Sequence, residues 1–327
     1  MSSHTLDVVG IGNAIVDIIA SADDAFLEAH AMAKGGMMLV DERRAEAIYA
    51  QMGPTMISSG GSAGNTIAGI ASLGGRTGYI GKVRDDEFGN AFRHDITAVG
   101  TVFRTPAAMD GPATAHCLIL VTPDSQRTMN TYLGACVNIG PGDIDEELIR
   151  SAQYTYLEGY LYDDPAAMKA FRTASEIAHA AGRRVALSLS DAFCVERHRE
   201  EFLALVEHHV DALFANQGEI EALFKCGWND AIARLRPLTD LAAVTRGPGG
   251  SVVVTKDEII DVAAEPVARV VDTTGAGDLY AAGFLFGLTR DVSLRECGRF
   301  GSIAAAEIIS HFGARPQTPL YTMLVSP

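Results

Sequence analysis

The 327-residue sequence predicts a doubly wound α/β fold: a mostly parallel sheet flanked by helices, with a small β-sheet lid. Three observations carry this. From Asp143 onward, apolar segments of strand and helix length alternate. Between Thr101 and Leu133 the pattern changes to short strands about a tight turn. Glycine-rich turns at 60–65 and 272–278 sit where a helix begins. Residues 1–327 read as a single domain, the lid contributed by about 15–45 and 101–135.

The chain opens with a strand at Asp7–Gly12 that continues through Asn13 to Ile19. A helix over Asp23–Ala33 and a short strand at Met37–Val40 follow. Gly60–Asn65 starts a helix of small residues running to Leu73, which the Gly74-Gly75 pair ends. Thr77–Ile80 is then a strand and Phe88–Val99 a helix. Ala115–Thr122 and Arg127–Leu133 are strands joined by a turn at Pro123-Asp124-Ser125-Gln126. Helices at Asp145–Ala152, Pro165–Ala181, Arg197–Val206 and Glu219–Phe224 then alternate with strands at Tyr154–Glu158, Arg184–Leu189, Ala212–Ala215, Ala242–Thr245 and Ser251–Thr255. In the last helix, Leu279, Ala282, Gly283, Phe286 and Gly287 have the spacing of one buried face.

Composition removes several function classes. The net charge is −15 with no Lys/Arg-rich run, which argues against nucleic acid or an anionic membrane as partner. The five cysteines have no metal spacing and read as reduced thiols in the cytoplasm. Met1–Asp7 lacks the basic and apolar parts of a secretory signal, and no apolar run is long enough to span a membrane. There is no G-x-x-x-x-G-K-[ST], H-R-D or H-E-x-x-H, and Gly10-Ile11-Gly12 lacks the third glycine of a dinucleotide fingerprint.

The most informative segment is Asp272-Thr273-Thr274-Gly275-Ala276-Gly277-Asp278. Small residues before a helix expose unpaired N–H groups at its positive end, which binds anions without side chains. Asp278 in the first turn places a carboxylate beside that cradle, where it can take a proton from an attacking hydroxyl. Together these suit phosphoryl transfer to an alcohol; a glycine-rich turn into a core helix accounts for the same residues. Gly60, Gly61 and Asn65 let a ligand approach the backbone and offer an amide to a sugar hydroxyl. Asn13 and Asp17, four apart, suit a vicinal diol. Asn216 and Glu219 have capping-box spacing, and Glu219 also suits a Mg²⁺ held through water. Thr245, Gly247 and Gly250 punctuate a loop that suits either phosphate contacts or a hairpin turn. Gly60–Gly64 also fits the hydrolase elbow G-x-S-x-G, with Ser62 as nucleophile and His311 as the late histidine.

In their order, these segments resemble the ribokinase-like sugar and nucleoside kinases of the phosphofructokinase B type, from Gly10 to Pro316. The resemblance implies that Asp278 is the catalytic base and that the amides of Gly275, Ala276 and Gly277 form the anion hole. It implies ATP at Asn216, Thr245, Gly247 and Gly250, with Mg²⁺ near Glu219. It also suggests a monovalent cation, K⁺, near Asp272 and Thr274, and Arg127 as a lid residue reaching the phosphates. Within the family, "GIGNAIVDI", "GGSAGN", "YLEGYLY" and "LSLSDAF" are most similar to adenosine kinases. That likeness places Asn13, Asp17, Gly60, Gly61 and Asn65 at the ribose and Ile15, Met37, Leu39 and Tyr160 around the base. Asp191 departs from it, standing where that segment is usually uncharged. The expectation is an ATP-dependent kinase acting on the 5′-hydroxyl of adenosine, as a monomer or homodimer. A sugar kinase of the same family, a kinase for another nucleoside, a silent binding protein and a serine hydrolase using Ser62 stand as alternatives.

Overall fold

The computed structural model describes residues 5–124 and 126–324. Its strands are β1 (Leu6–Ile11), β2 (Ile15–Ser21), β3 (Met37–Leu39), β4 (Met56–Ser59), β5 (Thr77–Ile80), β6 (Val102–Phe103), β7 (Ala115–Val121), β8 (Arg127–Tyr132), β9 (Ala152–Glu158), β10 (Arg184–Ser188), β11 (Ala212–Asn216), β12 (Leu241–Thr245), β13 (Ser251–Thr255) and β14 (Ile259–Val262). Nine of them form one sheet in the order β14-β13-β12-β11-β10-β9-β1-β5-β6. Five form a second, in the order β3-β8-β7-β2-β4.

In the large sheet β1 lies parallel to both β5 and β9, with Gly10 opposite Tyr79 on one side and Tyr156 on the other. All six residues of β1 are buried, as befits a central strand covered on both faces. One face packs on the helices Ser62–Ser72, Ala276–Leu288 and Leu294–Ile308 through Ile67, Leu279, Phe284 and Ile308. The other packs on Pro165–Ala180, Arg199–His209 and Gln217–Phe224 through Phe171, Phe202 and Ile220. Strand order reverses at β1, so the crevice at the carboxyl ends of β1 and its neighbours is the natural ligand site.

One seam sets the geometry of that crevice. A Cβ on Gly69 would lie 2.6 Å from Leu279 Cδ1 and 2.7 Å from the Ala282 Cβ. Helix Ser62–Ser72 therefore lies close against helix Ala276–Leu288, which brings their N-termini side by side. A methyl at position 69 would overpack the seam, at a cost of about 1–3 kcal/mol.

The expected α/β fold with a small sheet is present, with corrections. The opening strand is two strands in two sheets, because the chain leaves β1 at Gly12 and enters the small sheet at Ile15. The far edge of the large sheet, β12-β13-β14, is antiparallel; periodicity does not encode strand direction. The small sheet also takes in β4, outside the segments expected to build it. The expected helix at Arg197–Val206 is two, Ala192–Arg197 and Arg199–His209. Helix Leu294–Ile308 was not anticipated, although Ser293 caps it by accepting from the Glu296 amide. In the turn at 123–126, Ser125 lies outside the described residues, as do residues 1–4 of the N-terminal segment read for a signal. Among the described residues no helix is long and apolar enough to cross a membrane.

Candidate active site

A cleft of about 1220 Å³ opens between the two sheets. Asn13 follows β1, Glu158 ends β9, Ser188 ends β10, Asn216 ends β11 and Thr245 ends β12, and all five line it. The sheet thus delivers polar side chains to one edge, and the small sheet roofs them.

Asp278 lies in the first turn of helix Ala276–Leu288. Its Oδ1 accepts from Ser62 Oγ at 2.6 Å and its Oδ2 from Asn65 Nδ2 at 3.0 Å. Burial raises its pKa, against those two donors and the charge of Arg315. The chain reaches this helix through Gly275, whose φ of 79° is left-handed and disfavours any side chain. The Ala276 amide donates to the Thr273 carbonyl at 3.2 Å, which leaves Gly275 and Gly277 as the better placed parts of the expected anion cradle.

Glu158 is a site residue that the sequence reading passed over. Its Oε1 accepts from Asn13 Nδ2 at 2.7 Å and its Oε2 from the Ala63 amide at 2.8 Å. Burial pushes its pKa up to about 7, against the Ala63 and Asn13 bonds. The available signal was its place at the carboxyl end of a buried strand, inside "YLEGYLY". Asp17 enters from β2, and Gly60 makes room for it: a Cβ there would lie 2.5 Å from Asp17 Oδ2. Burial pushes Asp17 up to about 6, opposed by Arg315 and Arg127. Gly61 (φ 81°) carries the turn past the Asn13 carbonyl, which a Cβ would meet at 2.1 Å.

Arg315 is the second residue not anticipated. Its guanidinium donates to the Ser59 carbonyl at 2.9 Å, the Gly64 carbonyl at 2.6 Å and Ser59 Oγ at 3.0 Å. Desolvation lowers its pKa to about 10, while the charges of Asp17 and Asp278 favour its protonated form. Two buried oxygens, Asn13 Oδ1 and Asn65 Oδ1, find no donor among the described residues. Both belong to cleft-lining side chains and offer acceptors to a ligand's hydroxyl or N–H groups.

The remaining expected residues divide. Ile15, Met37, Leu39 and Tyr160 line the cleft, joined by Ile119 and Met129 from the small sheet. Asn216, Glu219, Thr245, Gly247 and Thr274 line it as well. Gly60, Gly250, Arg127 and Asp272 stand behind the lining. Gly250 closes its own turn, its amide on the Gly247 carbonyl at 3.0 Å. Asp191 explains its departure from the resemblance by capping helix Ala192–Arg197, accepting from the Phe193 and Cys194 amides. The hydrolase reading is overturned: Ser62 donates to Asp278 with no histidine between them, and His311 Nε2 lies 3.1 Å from Glu307 Oε1 instead.

Two ions can be tested against these residues. Among the described residues no three His, Cys, Asp or Glu side chains are grouped to hold a metal. Glu219 nonetheless fits a hydrated Mg²⁺: it faces the cleft with its oxygens oriented by Asn216 N at 3.0 Å and Nδ2 at 2.6 Å. Asp272 does not fit a free monovalent cation. Its Oδ1 accepts from Thr274 N at 3.1 Å and Oγ1 at 2.8 Å; its Oδ2 accepts from Gly313 N at 3.3 Å and is ion-paired with Arg127 Nη1.

A buried carboxylate beside a glycine-lined helix N-terminus, at the carboxyl edge of a doubly wound sheet, suits a phosphotransferase with a hydroxyl acceptor, the class to which the similar proteins belong. The pfkB family carbohydrate kinase pattern matches residues 40–320, and the chain belongs to that family, with its ribokinase-like fold. The crystal structure of adenosine kinase from Sinorhizobium meliloti is similar over 97% of this chain and 98% of that one, with 52% identity and a TM-score of 0.90. A probable sugar kinase from Rhizobium etli is similar over 98% of both chains, with 45% identity and a TM-score of 0.91. The ATP-dependent ribose-1-phosphate kinase of Halopiger xanaduensis is 31% identical over 269 residues, 79% of this chain and 82% of that protein.

Proposed function

We propose that this chain transfers the γ-phosphoryl group of ATP to the primary 5′-hydroxyl of a nucleoside, adenosine foremost. The charge of the cleft carries the acceptor class. Asp17, Glu158, Asp278 and Asp191 line it, while Arg197 is the one Lys or Arg among the described lining residues. Arg197 is itself paired with Asp163. With Arg127 and Arg315 behind the lining, no Lys or Arg among the described residues is free in the cleft to hold a phosphate on the acceptor, such as that of the Halopiger relative's ribose 1-phosphate, which favours a neutral polyol. The unpartnered oxygens of Asn13 and Asn65 suit hydroxyl donors. Ile15, Met37, Leu39 and Tyr160 supply an apolar border that a base would cover and a free sugar would leave wet. The 52% identity to an adenosine kinase supports adenine as that base. Five unpaired cysteines suit a cytoplasmic enzyme.

ATP with Mg²⁺ supplies the electrophilic phosphorus and neutralises its oxygens when bound, with Asn216, Thr245 and Gly247 holding the nucleotide and Glu219 orienting the hydrated ion. Asp17, Gly61 and Asn65 take the ribose hydroxyls. Asp278, oriented by Ser62 and Asn65, accepts the proton of the attacking 5′-hydroxyl. The Gly275 and Gly277 amides face the transferring oxygens.

The test is ADP release from Mg-ATP with adenosine, inosine, guanosine, cytidine, ribose, fructose and ribose 1-phosphate. Turnover confined to adenosine is expected. A preference for ribose or fructose would overturn the base pocket, and a preference for ribose 1-phosphate would overturn the electrostatic argument.

A further inference from the structure

The Arg127–Asp272 ion pair joins residues 145 apart in sequence. Arg127 opens β8, at the tip of the small sheet. Asp272 opens the loop that ends at Asp278, the general base of the function proposed above. Both side chains are only 6% exposed. Beyond this pair the arginine's charge also favours the ionised form of Asp17. Its Nε and Nη2 are buried and find no partner among the described residues. Its remaining neighbour of note is the Phe312 ring, 6.0 Å from the guanidinium carbon.

A buried guanidinium with two unmade hydrogen bonds is costly unless its charge is used. Its charge meets the Asp272 carboxylate, whose other contacts hold the turn: Thr274 through N and Oγ1, and the 309–313 segment through Gly313 N. The Val271 amide adds a second tie to that segment, on the Ile309 carbonyl at 2.8 Å. Asp272 is thus the point where the phosphate-side loop, the C-terminal segment and the small sheet meet. A carboxylate buried there needs a counter-charge, and the chain provides one from its own sequence.

We propose that the Arg127 guanidinium is a tethered cation at the Asp272 carboxylate, so that this enzyme holds its 272–278 loop without a free monovalent ion. A covalently carried cation is present at unit occupancy whatever the salt. It also binds the small sheet to the catalytic loop, which a free ion does not do. The inference uses the proposed function only to name the loop's role, and its test reads stability rather than turnover, so either can fail alone.

The experiment is thermal unfolding of the full chain in KCl against choline chloride at constant ionic strength. The wild type is expected to show no saturable response to K⁺. Arg127→Ala leaves Asp272 without a counter-charge and is expected to gain a saturable rise of roughly 2–5 °C in K⁺. Arg127→Lys keeps a tethered ammonium and should stay indifferent. Arg127→Met, which retains the apolar stem, replaces the alanine variant if that one does not fold. If neither folds in choline, rescue of folding by K⁺ supports the proposal and failure of rescue overturns it. A saturable K⁺ stabilisation of the wild type overturns it, as does a K⁺-indifferent Arg127→Ala.

Discussion

Ser62 donates its hydroxyl to Asp278 Oδ1 at 2.6 Å, across the seam between two helix N-termini that lie 216 residues apart in sequence. That bond, with the Asn65 amide on Oδ2, points the carboxylate into the cleft and favours its charged form. Ser62→Ala should therefore leave a working kinase. kcat should fall by roughly tenfold, as the loss of one hydrogen bond to a charged group implies. The acid limb of the kcat–pH profile should move to higher pH, because a donor that favoured the carboxylate is gone. Complete loss of activity would mean that Ser62 does more than orient Asp278, and an unmoved acid limb would remove Asp278 as the titrating base.

Asp278→Ala tests the base itself. General-base catalysis contributes about 10²–10⁴-fold, so kcat should fall by at least that much. ATP binding, read by calorimetry or fluorescence, should stay within a few fold because the residues proposed to hold the nucleotide lie on other strand ends. Near-full kcat in this variant would assign the proton to another group.

Under the proposed function, Asp17 acts on the acceptor alone. It enters from the small sheet, and Gly60 is kept bare to admit it. Asp17→Asn should raise the acceptor KM by roughly tenfold or more, since one charged hydrogen bond is worth about 1.5–3 kcal/mol. The ATP KM should be almost unmoved. Equal effects on both substrates would take Asp17 away from the ribose.

These residues show where sequence reading reaches and where it stops. The 272–278 segment was legible because a helix N-terminus, its glycines and its first-turn acid are local chemistry. Asn13 and Asp17 were legible as a pair, but for a different reason than spacing along a strand: the chain crosses from one sheet to the other between them. Glu158 was seen only as a strand end, since its meaning comes from Asn13, 145 residues away. Arg315 is the same case, its partners lying 251 and 256 residues back. Asp272 was legible as a loop carboxylate and Arg127 as a lid residue, but not their pairing, which joins positions 145 apart.

Glu158 and Asp17 should make stability and activity run in opposite directions with pH. Burial raises both folded-state pKa values, to about 7 and about 6. Each binds its proton more tightly folded than unfolded. Their contribution to stability is therefore complete below the ordinary carboxylate range and is lost as pH rises through 6 and then 7. Under the proposed function Asp17 works as a charged acceptor for the ribose hydroxyls, so activity should rise over that interval. Glu158→Gln should flatten the fall in stability between pH 5.5 and 8.5 by on the order of 2 kcal/mol. Denaturant unfolding at the two pH values reads this directly, and an unchanged slope would mean that Glu158 is not the group responsible.

Arg315 supports the proposed acceptor side without lining the cleft. It satisfies two main-chain carbonyls, at Ser59 and Gly64, on either side of the Gly60–Gly61 turn, and its charge faces Asp17 and Asp278. Its neighbour Ala314 also braces the catalytic loop: a Cβ on Gly275 would lie 3.0 Å from the Ala314 Cβ. Arg315→Met leaves those acceptors buried without donors and two carboxylates without their nearest shared cation. Removing one side of such an arrangement costs about 3–5 kcal/mol, so the melting temperature should drop by several degrees. The diagnostic readout is the pH profile: with the cation gone, the acid limb of kcat/KM for the acceptor should shift upward. Arg315→Lys restores a charge but not the three-way fork, and should recover the pH profile better than the melting temperature. If Arg315→Met lowers stability while the pH profile stays put, Arg315 is a structural tie alone and the ionisation of Asp17 and Asp278 is set elsewhere.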